Sequence, residues 1–303
     1  MTIKTPSHHG VKVPPKPGRY PDGTIKLLIE RASCRVYADK KVPASVLKYI
    51  FEAGIHSPTG GNLQPYSIIK IENSKTKARL AELCGQSFLA KAPVHLIFCL
   101  DFHRLKRWAK LEKAPFTADY AFRHFWIAFQ DTIICAQNIC TAADSLALGS
   151  VYIGTIIEYV PLLRKMCRLP KGVVPVVLLA LGYPAVKPAP RKKLGMETIV
   201  HKEIYTDMPD KKLLAVFGDK YKNIKVEMTD ERLKEIFKVC KTAHGERFAR
   251  LCIKNIKERK YINPAQRYFG LHYKADKMPS GNEKFLKTME NAGLKCFKKF
   301  NGG

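Results

Sequence analysis

The stretch DYAFRHFWIAFQDTIICAQNICTAADSLAL, residues 119 to 148, decides the fold. It holds no Gly and no Pro, is rich in Ala, and carries apolar residues on all sides. That pattern predicts one long, mostly buried helix, the centre of a fold or of a subunit interface. Gly149 reads as its stop. Gln137, Asn138 and Asp144 interrupt the apolar surface, so the stretch does not read as a membrane span.

Outward from this helix, short elements alternate. On the N-terminal side, residues 1–24 read as an irregular arm rich in Pro, Gly and His. Helices are expected over 25–31, over 43–55 with Pro43 in the first turn, and over 76–84. Strands are expected over 66–71 and 94–100. Residues 103–118 are polar and basic, with no clear period. On the C-terminal side, 160–168 reads as a helix and 173–181 as a buried strand. No Gly-x-Gly-x-x-Gly occurs, which disfavours a dinucleotide-binding Rossmann domain. The expected class is α+β, a mixed sheet sandwiched by helices. Lys187-Pro188-Ala189-Pro190-Arg191 reads as an extended connection. Beyond Tyr205 the chain becomes more helical and more charged, so the expected parts are 1–24, 25–206 and a helical C-terminal extension, 207–303.

The 303 residues carry 53 Lys and Arg against 26 Asp and Glu, a formal charge of +27. The basic residues are spread along the chain and interleave with acids. With no RNA-binding signature among them, specific nucleic-acid binding is not expected. Such a surface suits phosphorylated ligands. Nine cysteines occur without a Cys-x-x-Cys pair, which predicts free thiols in a reducing compartment rather than a zinc or iron–sulfur site. The start shows no secretory leader. A soluble cytoplasmic protein without a membrane partner is the expectation.

Three segments can carry chemistry. Arg31-Ala32-Ser33-Cys34-Arg35 puts two guanidiniums and a hydroxyl within five residues. Guanidinium forks suit phosphate oxygens, although two surface arginines would look the same. Residues 57–65, Ser-Pro-Thr-Gly-Gly-Asn-Leu-Gln-Pro, combine adjacent glycines with Asn62 and Gln64. The glycines admit a flat ligand close to the backbone, and the amides could meet a uracil-like edge. A plain helix-to-strand turn is the alternative. Residues 149–155, Gly-Ser-Val-Tyr-Ile-Gly-Thr, could offer a backbone N–H to a ring and Tyr152 as a packing face. A helix cap leading into the next element is equally open. The stretch 108–126 holds Trp108, Phe116, Tyr120, Phe122, Phe125 and Trp126, which could line an aromatic-accepting pocket or form dimer core. His56, His95 and His124 read as core or surface histidines, and no catalytic side chain is indicated.

Taken in order, these segments resemble the nitroreductase superfamily. Residues 30–37 resemble its Arg-x-Ser-x-Arg-x-aromatic opening, and 57–65 its Asn-x-Gln-Pro loop. Gly85-Gln86 and Ala92-Pro93-Val94 resemble the pair of segments that follows. Residues 151–154 are similar to the Tyr-Ile-Gly-Gly loop of the NADPH-dependent, oxygen-insensitive nitroreductases and flavin reductases, with Thr155 in place of the last Gly. Residues 181–184, 190–191 and 200–203 match that group's closing segment, with Ala189 where a Lys is usual.

The resemblance implies a homodimer with FMN at the interface and NADPH or NADH as electron donor. It implies hydride transfer through flavin N5 to a small acceptor such as a nitroaromatic or a quinone. By position, Arg31, Ser33 and Arg35 would hold the phosphate or pyrimidine side. Thr59, Gly60, Asn62 and Gln64 would come partly from across the interface. Gln86 would contact the isoalloxazine, Tyr152, Ile153, Gly154 and Thr155 would lie near the ring, and Arg191 near the phosphate. The competing reading is a basic flavin- or nucleic-acid-binding protein without redox turnover.

Overall fold

The computed structural model describes Tyr20 and residues 22 to 300. The expected arm over 1–24 therefore lies almost wholly outside the described residues. Its last positions already belong to a helix, α1 (Gly23–Glu30), capped by the Asp22 side chain accepting from the Ile25 N–H at 2.9 Å.

The chain then runs α2 (Ala44–Ile55), β1 (Tyr66–Ile71), α3 (Ser74–Leu83), β2 (Val94–Asp101), α4 (Phe102–Leu111), α5 (Phe122–Ser145), β3 (Gly149–Ile153), α6 (Val160–Met166) and β4 (Val173–Gly182). The four strands form one sheet in the order β1-β2-β4-β3. All three ladders are antiparallel. The mixed sheet expected from the sequence is corrected in this respect, because hydrophobic period identifies strands without fixing their direction. The α+β class holds.

The sheet is covered on both faces, so β2 and β4 are buried along their whole length and almost wholly apolar. Leu96, Phe98 and Leu100 of β2 join Leu47 and Ile50 of α2 and Cys135, Ala136 and Ile139 of α5 in one core. Ile97 and Cys99 join Leu80 of α3 and Leu163 of α6 in another. This is the period-2 alternation of a pleated strand. In β4 the alternation slips once. Val176 and Val177 are neighbours yet belong to the same core, because a bulge shifts the register opposite Phe98 and Cys99. Pro175 sits at that bulge, past the end of the β3 ladder at Leu178, where its missing N–H disturbs no central pairing.

The long helix expected over 119–148 spans 122–145 and is buried on one face. Ala128, Thr132, Cys135, Ala136, Ile139, Cys140 and Ala143 are buried. Trp126, Phe129 and Ile134 are exposed on the single chain. At Gly54 an added Cβ would stand 2.5 Å from Ile139 Cγ1, so α2 and α5 touch through a missing side chain. Gly149 is not the helix stop expected of it. The helix closes at Leu146 and Ala147, the latter at φ 61°, and Gly149 opens β3.

By compactness, the chain up to Pro190 together with the segment from Phe285 onward forms one unit, and Arg191–Lys284 forms a second. Met289, Ala292, Leu294 and Cys296 lie in the first unit's core. The second unit contains α7 (Met196–Ile199), α8 (Asp210–Lys220), α9 (Asp230–His244), α10 (Glu246–Arg259) and α11 (Pro264–Arg267), and α12 (Asn282–Asn291) begins at its end. Its core is Ile236, Ile256 and Ile262. Helix α9 is capped by Thr229, and α11 by a reciprocal Asn263–Gln266 capping box. No helix of the described residues is long and apolar enough to cross a membrane.

Candidate active site

The end of α5 meets the start of β3 around Arg31. Its guanidinium lies 3.4 Å from the Asp144 carboxylate, donates to Ser150 Oγ at 3.3 Å, and stands 6.0 Å from the centre of the Tyr152 ring. Arg31 Nε is buried with no hydrogen-bond partner, since the Asp144 contact is an ion pair without hydrogen-bond geometry. Such a donor is costly to leave unpaired and fits an anionic ligand oxygen. Burial pushes the Asp144 carboxyl up to about 6, against the opposing pull of Arg31. Burial also raises the Tyr152 phenol.

The segment between α1 and α2 is tied to β3 through its backbone. Cys34 N–H donates to Ser150 O at 2.9 Å, and the Tyr37 hydroxyl donates to Cys34 O at 3.0 Å. Gly149 is needed here for space, because a Cβ on it would stand 2.6 Å from Cys34 Cβ. Ser33 is half-buried and Arg35 exposed beside this junction.

The loop of residues 59 to 64 forms a second cluster. Gly61, Asn62 and Gln64 all have positive φ, at 59°, 55° and 48°. Two non-glycine residues in the left-handed region within so short a loop store backbone strain, which the surroundings must hold. The Asp131 carboxylate accepts from Gly60 N–H, at 3.2 Å to each oxygen. Burial raises the Asp131 carboxyl, with the Gly60 bond opposing. Arg104 of α4 donates to Gln64 O at 2.6 Å and Tyr66 O at 2.7 Å. Gln64 Nε2 donates to Ile55 O at 3.0 Å, and Thr59 Oγ1 accepts from Gln64 N–H at 3.3 Å. The amide of Gln64 is thus partly used in holding the loop, while Gly60, Gly61 and Asn62 are exposed.

The structure therefore brings Arg31 and Tyr152 together, and separately Thr59, Gly60, Asn62 and Gln64. Ile153 is buried, so only its backbone can face a ligand, whereas Gly154 is exposed with open space at its Cβ position. Gln86 opens the turn before β2, beside α3. Arg191 belongs to the second unit. His95 is fully buried with its pKa lowered to about 4 by desolvation, a core residue and no proton donor at neutral pH. Sequence reasoning missed Asp131, Asp144, Ser150 and Arg104. The available signal was two carboxylates inside an otherwise apolar helix, a placement that calls for a partner.

The arrangement offers guanidinium, exposed glycine backbone and an aromatic face, a set suited to a flat phosphorylated ligand. Comparison with known families gives the same direction: the nitroreductase family matches residues 28–183. The chain belongs to that family. It is 34% identical over 197 residues to the oxygen-insensitive NADPH nitroreductase of Salmonella typhimurium, covering 65% of this chain and 80% of the relative. It is 31% identical over 188 residues to the FMN reductase [NAD(P)H] of Bacillus subtilis, covering 61% of this chain and 76% of the relative. The fold matches the NADPH:FMN oxidoreductase from Vibrio harveyi complexed with NAD+, with a TM-score of 0.67 at 20% identity, over 90% of this chain and 99% of that one.

Proposed function

We propose that this chain is an FMN-dependent NAD(P)H oxidoreductase that reduces small acceptors such as nitroaromatics or quinones. The observation that carries the proposal is the cluster of Arg31, Ser150 and Tyr152 in a family member whose relatives are an NADPH nitroreductase and an FMN reductase. The flavin, when bound, supplies the hydride chemistry. The protein's part is to bind and orient. Arg31 and Arg35, with Ser33 between them, hold the anionic end. The backbone of 60–61 and 153–155 faces the ring, with Thr59, Asn62, Gln64, Gln86 and Tyr152 around it. No side-chain acid or nucleophile is required.

The acting unit in this reading is a homodimer. Asp131, beside the 59–64 loop, and Asp144, beside Arg31, are thirteen residues apart on α5, about 20 Å along the axis. A flavin ring is shorter than that, so both loops reach one ring when two copies contribute them. Exposed Trp126, Phe129 and Ile134 give α5 an apolar face for such pairing. Nine free thiols suit a cytoplasmic setting.

An absorbance spectrum tests the proposal. A yellow protein that bleaches with NADPH or NADH, and recovers when menadione is added, is the expected result. A colourless protein that takes up no added FMN overturns it.

A further inference from the structure

Four lysines converge on one open hollow of about 500 Å³. Lys40 and Lys41 come from the segment between α1 and α2, Lys77 from α3, and Lys91 from the turn before β2. A basic surface helix such as α4 collects its charges from one local run. Here three segments remote in the chain bring like charges to one place, against their mutual repulsion.

The cations stand on fixed backbone. The Ala38 N–H donates to Tyr183 O at 2.8 Å and Tyr37 bridges to Pro184, which anchors the segment carrying Lys40 and Lys41. Lys40 Nζ lies 4.2 Å from the centre of the Tyr183 ring, a cation–π contact that restrains it. Lys77 is half-buried. Its ammonium donates to Ala92 O at 2.9 Å and to Pro93 O at 3.3 Å, which leaves one N–H for a ligand. The Lys91 and Ala92 N–H groups both donate to Phe88 O at 3.1 Å. The opposing charge is smaller. Two carboxylates line the hollow, Asp39 and Glu72, and Lys70 from outside it already pairs with Glu72 at 2.6 Å. Ala38, Val42, Pro93 and Val94 complete the lining and add no charge.

We propose that this hollow binds a compact anion with two or more adjacent phosphate groups, of the pyrophosphate type. An ammonium is a point charge with three rotatable donors, so several around one hollow suit the many oxygens of clustered phosphates. A planar carboxylate is better held by a guanidinium fork, and no arginine lines the hollow. No aromatic ring lines it either, so nothing there stacks a nucleotide base or a nicotinamide. The site shares no residue with the cluster around Arg31, and the binding claim does not depend on the oxidoreductase reading.

The test is calorimetric titration of the full-length protein with pyrophosphate at near-physiological salt, with and without excess FMN to occupy the Arg31 cluster. One pyrophosphate per chain is expected in both cases, with AMP, a single phosphate on a base, about tenfold weaker. Lys41 and Lys91 are exposed, so Lys41→Gln with Lys91→Gln removes two cations without touching the core. One ammonium at 4 Å contributes about fivefold in water, and salt screening brings the expected loss for the pair to about tenfold. Lys110→Gln with Lys113→Gln removes the same charge at α4, also from exposed positions, and is expected to change the affinity less than about twofold. Absence of saturable binding, AMP as tight as pyrophosphate, equal losses in the two double variants, or loss of pyrophosphate binding when FMN is added overturns the proposal.

Discussion

The buried carboxylate of Asp131 takes the backbone N–H of Gly60 between its two oxygens, 3.2 Å from each. Gly60 has no room for a side chain, since a Cβ would stand 2.9 Å from Ile127 Cγ2. Helix α5 thus holds the 59–64 loop in place. Asp131→Leu removes the acceptor and is expected to weaken FMN binding about tenfold, the scale of one charge-assisted hydrogen bond. Asp131→Asn, whose amide oxygen can still accept, should restore most of it. FMN fluorescence titration measures both. Equal affinity in the Leu and Asn variants would show that the loop does not depend on this contact.

Arg104 holds the same loop from the other side, through Gln64 O, Tyr66 O and Ser67 Oγ. It is about half exposed, so its ion pair with Asp101 counts for little, and its carbonyl contacts count for more. Arg104→Ala is expected to cost about 1–2 kcal/mol of stability in chemical denaturation. Arg104→Lys should recover only part of it, because one guanidinium nitrogen donates to both carbonyls while the other reaches Ser67 Oγ, and a single ammonium cannot hold both positions at once.

How much of this was legible in the sequence depends on what kind of signal each part emits. Strand β1 was readable to the residue from Tyr66, Ile68, Ile69 and Ile71, β-favouring residues that directly follow Pro65. Helix α4 was not, because its apolar stripe is narrow and embedded in Lys and Arg. Strand β3 was hidden for another reason: five residues directly after a helix read as a cap, and Gly149 looked like a stop. Its real role is to let Cys34 approach, a contact more than a hundred residues away. Asp144 was visible only as an interruption and Asp131 was not marked at all, since their partners Arg31 and Gly60 are remote in the chain. The return of residues from Phe285 into the first core gave no local sign. Motif order along the chain could suggest a ligand, but it could not reveal that the 59–64 loop meets the middle of α5 and Arg31 its C-terminal end.

The contact between α2 and α5 offers a packing test. A methyl at Gly54 would meet Ile139 Cγ1 and Cδ1 at 2.5 and 2.7 Å. Gly54→Ala is expected to destabilise by about 1–3 kcal/mol through overpacking. Ile139→Ala alone leaves a cavity and costs about 2–5 kcal/mol. The double variant should cost clearly less than the sum, because the new methyl occupies space that Ile139 vacates. Additive losses in denaturant titrations would mean that the helices separate rather than interlock.

Asp144 gives a pH prediction with a definite sign. Its carboxyl is raised from 3.8 to about 6, mainly by burial. The native state therefore binds the proton more readily than the unfolded chain, and this contribution is fullest below about pH 4 and is lost as pH rises through 6. Its size is about 1–2 kcal/mol once solvent screening is allowed for. Asp144→Asn should abolish that part of the pH dependence. The Tm difference between variant and wild type is then expected to shift in favour of the variant from pH 4 to pH 7. The same substitution releases Arg31 from its ion pair at neutral pH. FMN, or inorganic phosphate as a simpler probe, should bind the Asn variant severalfold more tightly at pH 7, with the gap closing toward pH 5. A constant gap across that range would mean that Asp144 does not compete for Arg31.

The dimer reading makes the last prediction. Ile134 lies on the exposed face of α5, 39% exposed on the single chain and away from the buried stripe. Ile134→Glu introduces a charge on each copy at the proposed contact without touching the described core. Two like charges desolvated against each other cost several kcal/mol, enough to shift a micromolar solution toward monomer. Light scattering should report the mass of one chain, with thermal unfolding of the separated chain still cooperative. FMN should be lost with the dimer, because the 59–64 loop and Arg31 then remain thirteen residues apart along one helix, about 20 Å. Retention of stoichiometric FMN by a verified monomer would mean that one chain builds the whole site, and the argument from the length of α5 would fail.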